Sequence, residues 1–205
     1  DYTPNILHHF MDDANGIHSI GGEPPKEFLS PESNWSIQYF GKISNRDPVF
    51  QWLPFDFHII YPHFYEIDWL VLDYSNPLSP KILNKEEFEN EKPIFDSITK
   101  NSKVIFKEKR LKTVLPTNNN YQEWGNTGFP IWIQFPNIPY CPISGKMMRF
   151  VCQFPSYMRL KIKELDCQIQ KQDQHYFKER SFLDVDLYIF FQPETKTSCF
   201  LIQYS

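Results

Sequence analysis

Alanine is almost missing from this chain: Ala14 is the single one in 205 residues. Alanine is the strongest helix former, so a mainly helical fold is disfavoured. Glycine is scarce too, seven residues against 17 prolines, and prolines end helices and gather in turns and edge strands. No apolar run approaches the roughly 20 residues of a membrane helix, so no membrane partner is expected. Positive charge is not in excess: the net charge is -4, and nucleic acid is not expected as a partner. Cysteine is sparse, with Cys141, Cys152, Cys167 and Cys199 all in the last third and no C-x-x-C pair. That density excludes a disulfide scaffold and reads as reduced core thiols in a cytoplasmic protein. No signal peptide is visible, although a removed one would leave no trace. A Gly-rich phosphate loop, a serine elbow and H-E-x-x-H are absent as well.

What is plentiful is bulk. Hydrophobic residues make up 41% and aromatics 17%, enough for a sizeable core and too much for disorder. β-branched and aromatic residues fit pleated surfaces. The expected fold is therefore α+β, mainly β, with few short helices. Strands are expected at Trp35–Phe40, Trp69–Tyr74, Ile131–Phe135, Met148–Phe154, Met158–Leu165, Leu187–Phe191 and Cys199–Tyr204. A short helix is expected around Ile6–Asp13. The charged stretch 81–112 suits surface helices or an inserted arm, and Asn118–Asn120 and Lys171–Arg180 suit loops.

Two stretches of the chain look alike. The first runs Gly22-x-Pro24, the strand around Gln38, then Asp68 before Trp69-Leu70-Val71. The second runs Gly128-x-Pro130, the strand around Gln153, then Asp186 before Leu187-Tyr188-Ile189. An internal duplication explains this order. It predicts one domain over 1–205, with two pseudo-duplicated antiparallel β-rich halves packed together. The halves cover about 18–77 and 124–205, with a charged insert over about 78–120.

The same residues resemble a known family. Gly21-Gly22-x-Pro24, the Gln38 strand, Gly128-Phe129-Pro130-Ile131-Trp132-Ile133-Gln134, Pro139-Tyr140-Cys141-Pro142-x-x-Gly145-x-Met147 and the Gln153 strand carry the likeness. They are similar to the YwqG-like family, a widespread bacterial family without an assigned function. The resemblance implies an α+β fold with extensive sheet and internal pseudo-symmetry, and it brings no catalytic residues. Where that family often has Cys-x-x-Cys-Gly, this chain has Cys141-Pro142-Ile143-Ser144-Gly145. Zinc wants four thiolate or imidazole ligands, so the single thiolate makes no metal site.

Other candidates are weighed on chemistry. Cys141-x-x-Ser144 has the spacing of a one-thiol redox motif, but no helix follows to activate it. A turn between two strands is the simpler reading. His8, His9 and His18 with Asp12 and Asp13 suggest a metal site if the start is helical, against a solvated terminus. His58 and His63 are ligand candidates or satisfied neutral histidines. Glu66 and Asp68 share a strand face, which suits paired acids only if their environments differ. Asp68 and Asp186 suit strand starts. Gln38, Gln134 and Gln153 sit in apolar strands and need buried partners. The cluster Phe50–Trp69 is core for its phenylalanines and Trp69. Trp52, Tyr61 and Tyr65, with His63, are the candidate contacts for a partner or ligand. No cofactor and no metal is expected.

The function this points to is a non-enzymatic protein-binding module. Its most concrete form is a bacterial toxin-neutralising immunity protein whose acids meet a basic toxin domain. The alternative is a small-ligand binder or enzyme using a cleft between the halves, with His58, His63, Gln38 and Gln153 converging there. The sequence does not fix the oligomeric state.

Overall fold

A computed structural model describes residues 6–65, 67–88, 90–117, 123–166, 169–174 and 185–204. Glu66, Asn118–Asn120, Cys167 and the expected loop beyond 174 lie outside the described residues. The fold is mainly β. In chain order the strands are β1 His8–Asp12, β2 His18–Ile20, β3 Gln38–Ile43, β4 Phe57–Tyr61, β5 Trp69–Asp73, β6 Lys81–Ile82, β7 Val104–Phe106, β8 Lys109–Val114, β9 Asn126–Thr127, β10 Arg149–Phe154, β11 Ile162–Leu165, β12 Asp186–Gln192 and β13 Thr197–Gln203. Helix among the described residues is confined to 3-10 turns at Pro48–Phe50 and Lys85–Phe88 and one α-turn at 171–174. No helix among them is long and apolar enough to cross a membrane.

Eleven strands form one sheet in the order β4-β3-β2-β8-β1-β9-β10-β12-β13-β5-β6, and β11 pairs with β7 beside it. Every pairing is antiparallel. The apolar runs of β12, β13 and β5 follow from burial on both faces. Alternate side chains point opposite ways along a strand. Leu187, Ile189, Phe191, Phe200, Leu70 and Leu72 therefore join the main core, while Tyr188, Phe190, Cys199 and Val71 build a second cluster with Cys141, Met148 and Phe150. Inside the main core distant strands meet. Phe57 of β4 lies 5.6 Å from Phe191 of β12 and 6.1 Å from Phe200 of β13 between ring centroids. Burying each such ring stabilises the fold by about 1.5–3 kcal/mol.

Two expectations fail here for one reason. Residues 8–12 are a strand and not a helix, because β1 is hydrogen-bonded between β8 and β9. The stretch 81–112 is not an appended insert, because β8 lies in the middle of the sheet between β2 and β1. Its charge disguises it: Leu111 alone of β8 is buried, while Lys109 and Lys112 pair with Asp12 and Asp13. Tertiary pairing has overridden local composition.

Two strands of the large sheet are irregular. β3 carries a bulge between Tyr39 and Gly41, and β10 carries one between Phe150 and Cys152. An alignment on these bulges would match Gln153 with Lys42 rather than with Gln38. Asp186 opens β12 beside β10, whereas Asp68 precedes β5 on the far side of β13. Asp56 is the residue that precedes β4. The same alignment would match Gly128 with Gly21 rather than with Gly22. Gly21 (φ 71) and Gly128 (φ 101) each follow a short strand and press on a carbonyl, of Lys107 and Ile6 respectively.

Candidate functional site: an apolar ledge on the outer face of the sheet

Residues 129–148 run across the outer face of β10, β12 and β13. Ile131–Phe135 was expected to be a strand, and it is not one. Pro130 and Pro136 bracket it, and proline breaks a ladder. Side chains from the sheet take the place of a neighbouring strand. The Gln153 amide accepts from Ile131 N at 2.8 Å and donates to Ile131 O at 2.9 Å. The Tyr188 hydroxyl donates to Ile131 O at 2.9 Å and accepts from Ile133 N at 3.2 Å. Gln203 accepts from Gln134 N at 3.2 Å and donates to Phe135 O at 2.9 Å. Trp132 turns inward and stacks on Tyr188 with centroids 4.7 Å apart.

The backbone is thus tied down, and the other side chains face out. Phe129, Ile131, Ile133, Phe135, Ile138, Tyr140, Ile143 and Met147 are all exposed, Phe135 at 66% and Tyr140 at 64%. Eight exposed large apolar side chains on one tethered segment depart from the singly scattered apolar residues usual on a monomer surface. The only charge between 129 and 147 is Lys146, which pairs with Glu194 at 2.6 Å.

At the end of the ledge Cys141 begins a tight turn. Gly145 N donates to Cys141 O, and Cys141 N donates to Lys146 O, both at 2.8 Å. Gly145 takes φ 66 with open space where a Cβ would stand. Burial pushes the Cys141 thiol up. Hydrogen bonds from the Ser144 and Thr195 hydroxyls and the amides of Ser144 and Ile143 outweigh this and hold it at about 7. The thiol sits in a turn flanked by the Tyr140–Met147 bridge, without a histidine among its partners.

The residues expected to meet a partner are elsewhere. Tyr61 is buried, and its hydroxyl donates to Ile67 O at 2.5 Å. Tyr65 is buried against Trp35. His63 is half-buried among Phe40, Phe64 and Phe106. Trp52 is half-buried beneath the Arg149 guanidinium, 4.2 Å from its ring centroid. These four do not form a surface platform; they pack the core and its rim. Trp69, expected in the core, is 38% exposed instead.

The glutamines do not converge on a cleft either. Gln38 donates to Ser102 O at 3.1 Å and accepts from Val104 N at 2.8 Å. Gln153 bonds Asp186 at 2.7 Å besides Ile131. Gln134 is exposed and reaches Tyr204 O. Gly22 and Pro24 lie in the loop after β2, and Pro130 lies at the start of the ledge. Asp186 is a buried strand start, bonding Ser156 N; Asp68 is exposed.

The histidines are separated. Buried His58 accepts or shares a proton with the Tyr39 hydroxyl at 3.0 Å, and burial, helped by Lys42, lowers its pKa to about 4. His18 is fully buried, with Nε2 2.9 Å from Asp47 and Nδ1 accepting from Ser44 N at 3.0 Å. Thr113 donates to the same Asp47 oxygen at 2.7 Å. Nδ1 therefore carries no proton, and Nε2 is the donor. Asp12 and Asp13 are taken by lysines, and no cluster of three or more metal-ligating side chains exists among the described residues.

Sequence reasoning missed the ledge. Its signal was the spacing of Pro130, Pro136, Pro139 and Pro142 through an apolar run, which denies that run a strand ladder. No protein-family model, no curated protein and no solved structure matches this chain.

Proposed function

We propose that this protein is a non-enzymatic protein-binding module and that the ledge over residues 129–147 is its contact surface. The observation that carries this is a tethered segment with eight exposed large apolar side chains and one ion-paired charge. Interface cores are depleted in charge and rich in aromatic anchors. The occupant is a second protein with an apolar contact patch set in a basic surround. The net charge of -4 steers such a partner, and the ledge then supplies the affinity. A toxin-neutralising immunity protein is the narrower form of this proposal.

An internal comparison supports it. We propose that the chain is internally duplicated, with β1-β2-β3-β4 repeated as β8-β9-β10-β12. The two sets occupy mirrored places in the strand order, with β1 and β8 exchanged across the middle. Lys42 bonds Asp56 and Asn45 N donates to Asp56; Gln153 bonds Asp186 and Ser156 N donates to Asp186. A relationship to the YwqG-like family is proposed on the same pseudo-symmetry. In this alignment the counterpart of the ledge is the segment after β2, where Phe28 covers Tyr39 and His58. That segment carries Glu23, Lys26, Glu27 and Glu32 and exposes only Leu29 among large apolar residues. A polar covering segment thus serves the fold in one half, so folding alone does not demand the apolar one.

The test pairs capture with ledge variants. Tagged protein retains a basic partner with sub-micromolar affinity, and Phe135→Asp with Tyr140→Asp weakens that affinity at least 30-fold while leaving the urea midpoint unchanged. No retained partner, or capture indifferent to these changes, overturns the proposal. Self-association in sedimentation that the same variants abolish overturns the choice of occupant.

A further inference from the structure

On another part of the molecule, residues of the two segments around Trp35 and Ser102 line an open cavity of about 400 Å³. That is within the size range of small-molecule sites. Its base is fixed. The Ser36 hydroxyl donates to Ser102 O, and the Gln38 amide donates to both the Ser36 hydroxyl and Ser102 O. Val104 N in turn holds Gln38. Ser36, Gln38 and Ser102 are all buried, so this base is not a loose surface dent.

The base also decides the chemistry. A carbonyl oxygen has two lone pairs, and Ser102 O already receives two donors. What remains in the cavity is rich in donors. Ser33 Oγ accepts from Trp35 N at 2.9 Å, which leaves its own proton free to donate outward. Lys100 and Lys103 line the cavity; neither comes within ion-pair distance of a carboxylate among the described residues, and Lys103 is near enough to Glu23 to help lower its pKa. Asn101 adds an amide, and Glu32 is the single acid in the lining. Trp35 and Ile37 supply an apolar wall beside these donors.

We infer that this cavity binds a small organic oxyanion, its charged group held by Lys100, Lys103 and Ser33 and its carbon skeleton laid against Trp35. Two ammonium groups stand against one carboxylate in the lining, with Glu23 and its own partner Lys163 beyond Lys103, and the Ser33 hydroxyl adds a directional donor. The site is independent of the ledge and does not rest on the protein-binding proposal.

The probes are phenyl phosphate, benzoate and inorganic phosphate, titrated by calorimetry into the full chain at constant ionic strength. Phenyl phosphate or benzoate binds at least tenfold more tightly than inorganic phosphate, and the tighter of the two identifies the oxyanion. Lys100→Gln with Lys103→Gln lowers that affinity at least tenfold without moving the melting temperature of the free protein. Ser33→Ala lowers it by a smaller factor and serves as a second reading should the double variant fold poorly. Binding of none of the probes, or binding unchanged in both variants, overturns the inference. Phenyl phosphate and benzoate both no tighter than inorganic phosphate overturn its organic part.

Discussion

Gln153 clamps Ile131 by both of its backbone groups, at 2.8 and 2.9 Å. One buried amide thereby does for the ledge what a whole neighbouring strand does elsewhere in the sheet. Replacing it with Met keeps the volume and removes the clamp. Two hydrogen bonds are lost and Asp186 is left short of a donor, so we expect a loss of about 2–4 kcal/mol in urea unfolding. Exchange of the Ile131 amide hydrogen rises by more than the global loss accounts for. A Gln153→Met protein with wild-type stability and exchange would remove the clamp from the account of the ledge.

Gly21 and Gly128, matched in the proposed duplication, give a test of it. A Cβ on Gly128 would stand 2.2 Å from Ile6 O at φ 101, and one on Gly21 would stand 2.7 Å from Lys107 O at φ 71. Both contacts are to backbone, which cannot swing aside. Gly128→Ala and Gly21→Ala are each expected to cost several kcal/mol, above the strain of the left-handed backbone alone. Gly145→Ala, with open space around it, costs about 1 kcal/mol. Thermal unfolding of the three variants checks the ranking, and a mild Gly21→Ala beside a severe Gly128→Ala counts against their equivalence.

The β-rich class, six of the thirteen strands and the buried, partnered role of Gln38 and Gln153 were legible because they rest on alternation and on the need of buried amides for partners, whereas Gln134 is exposed. Phe10 hid the strand it sits on, since β1 has one buried residue in five and gains its order from β8 and β9. β8 was hidden by Lys109, Arg110 and Lys112, which face solvent around Leu111. Tyr61 and Tyr65 looked like surface anchors because Pro54 and Pro62 interrupt their run. Their burial depends on Ile67 O and Trp35, contacts that no local pattern encodes. The ledge was hidden because an apolar run bounded by prolines reads as a strand until its hydrogen-bond partners are known.

Stability should fall as the pH is lowered from about 6.5 to about 4. His58 is ordinarily half-protonated near 6.5, and in the fold burial, helped by Lys42 and opposed by Asp56, lowers this to about 4. Burial likewise lowers His18, with Asp47 opposing it. Groups with a depressed folded pKa take up protons first in the unfolded chain, so their stabilisation is complete above 6.5 and is lost on acidification. Asp47 and Asp56 remain ionised through this window. Burial raises both, but the bonds from His18, Val49 and Thr113 to Asp47, and from Lys42 and Ser44 to Asp56, bring them below 3.8. Their protonation therefore does not supply the slope. Urea midpoints of the wild type and His58→Gln, measured from pH 7.5 to 4.5, check this. The variant is less stable at pH 7.5 but shows a shallower decline, and parallel curves would assign the slope to other groups.

The three described cysteines should separate sharply in thiol chemistry. Burial alone pushes Cys152 well above the usual thiol range and Cys199 up to about 12. Cys141 is equally hidden from solvent, yet hydrogen bonds bring it to about 7. The thiolate is the reactive form, so alkylation of native protein at pH 7.5 labels Cys141 first among them. Its rate is limited by local opening of the turn, because the sulfur is covered. Thr195 lies 3.2 Å from that sulfur and helps to hold the thiolate. Thr195→Val keeps the shape and removes the hydroxyl. The expected result is a slower reaction at pH 7 and a rate that converges on the wild type near pH 9.5, where either thiol is ionised. Peptide mapping of the labelled protein reads both quantities. Equal slowing at both pH values would mean that Thr195 restrains the turn without tuning the sulfur.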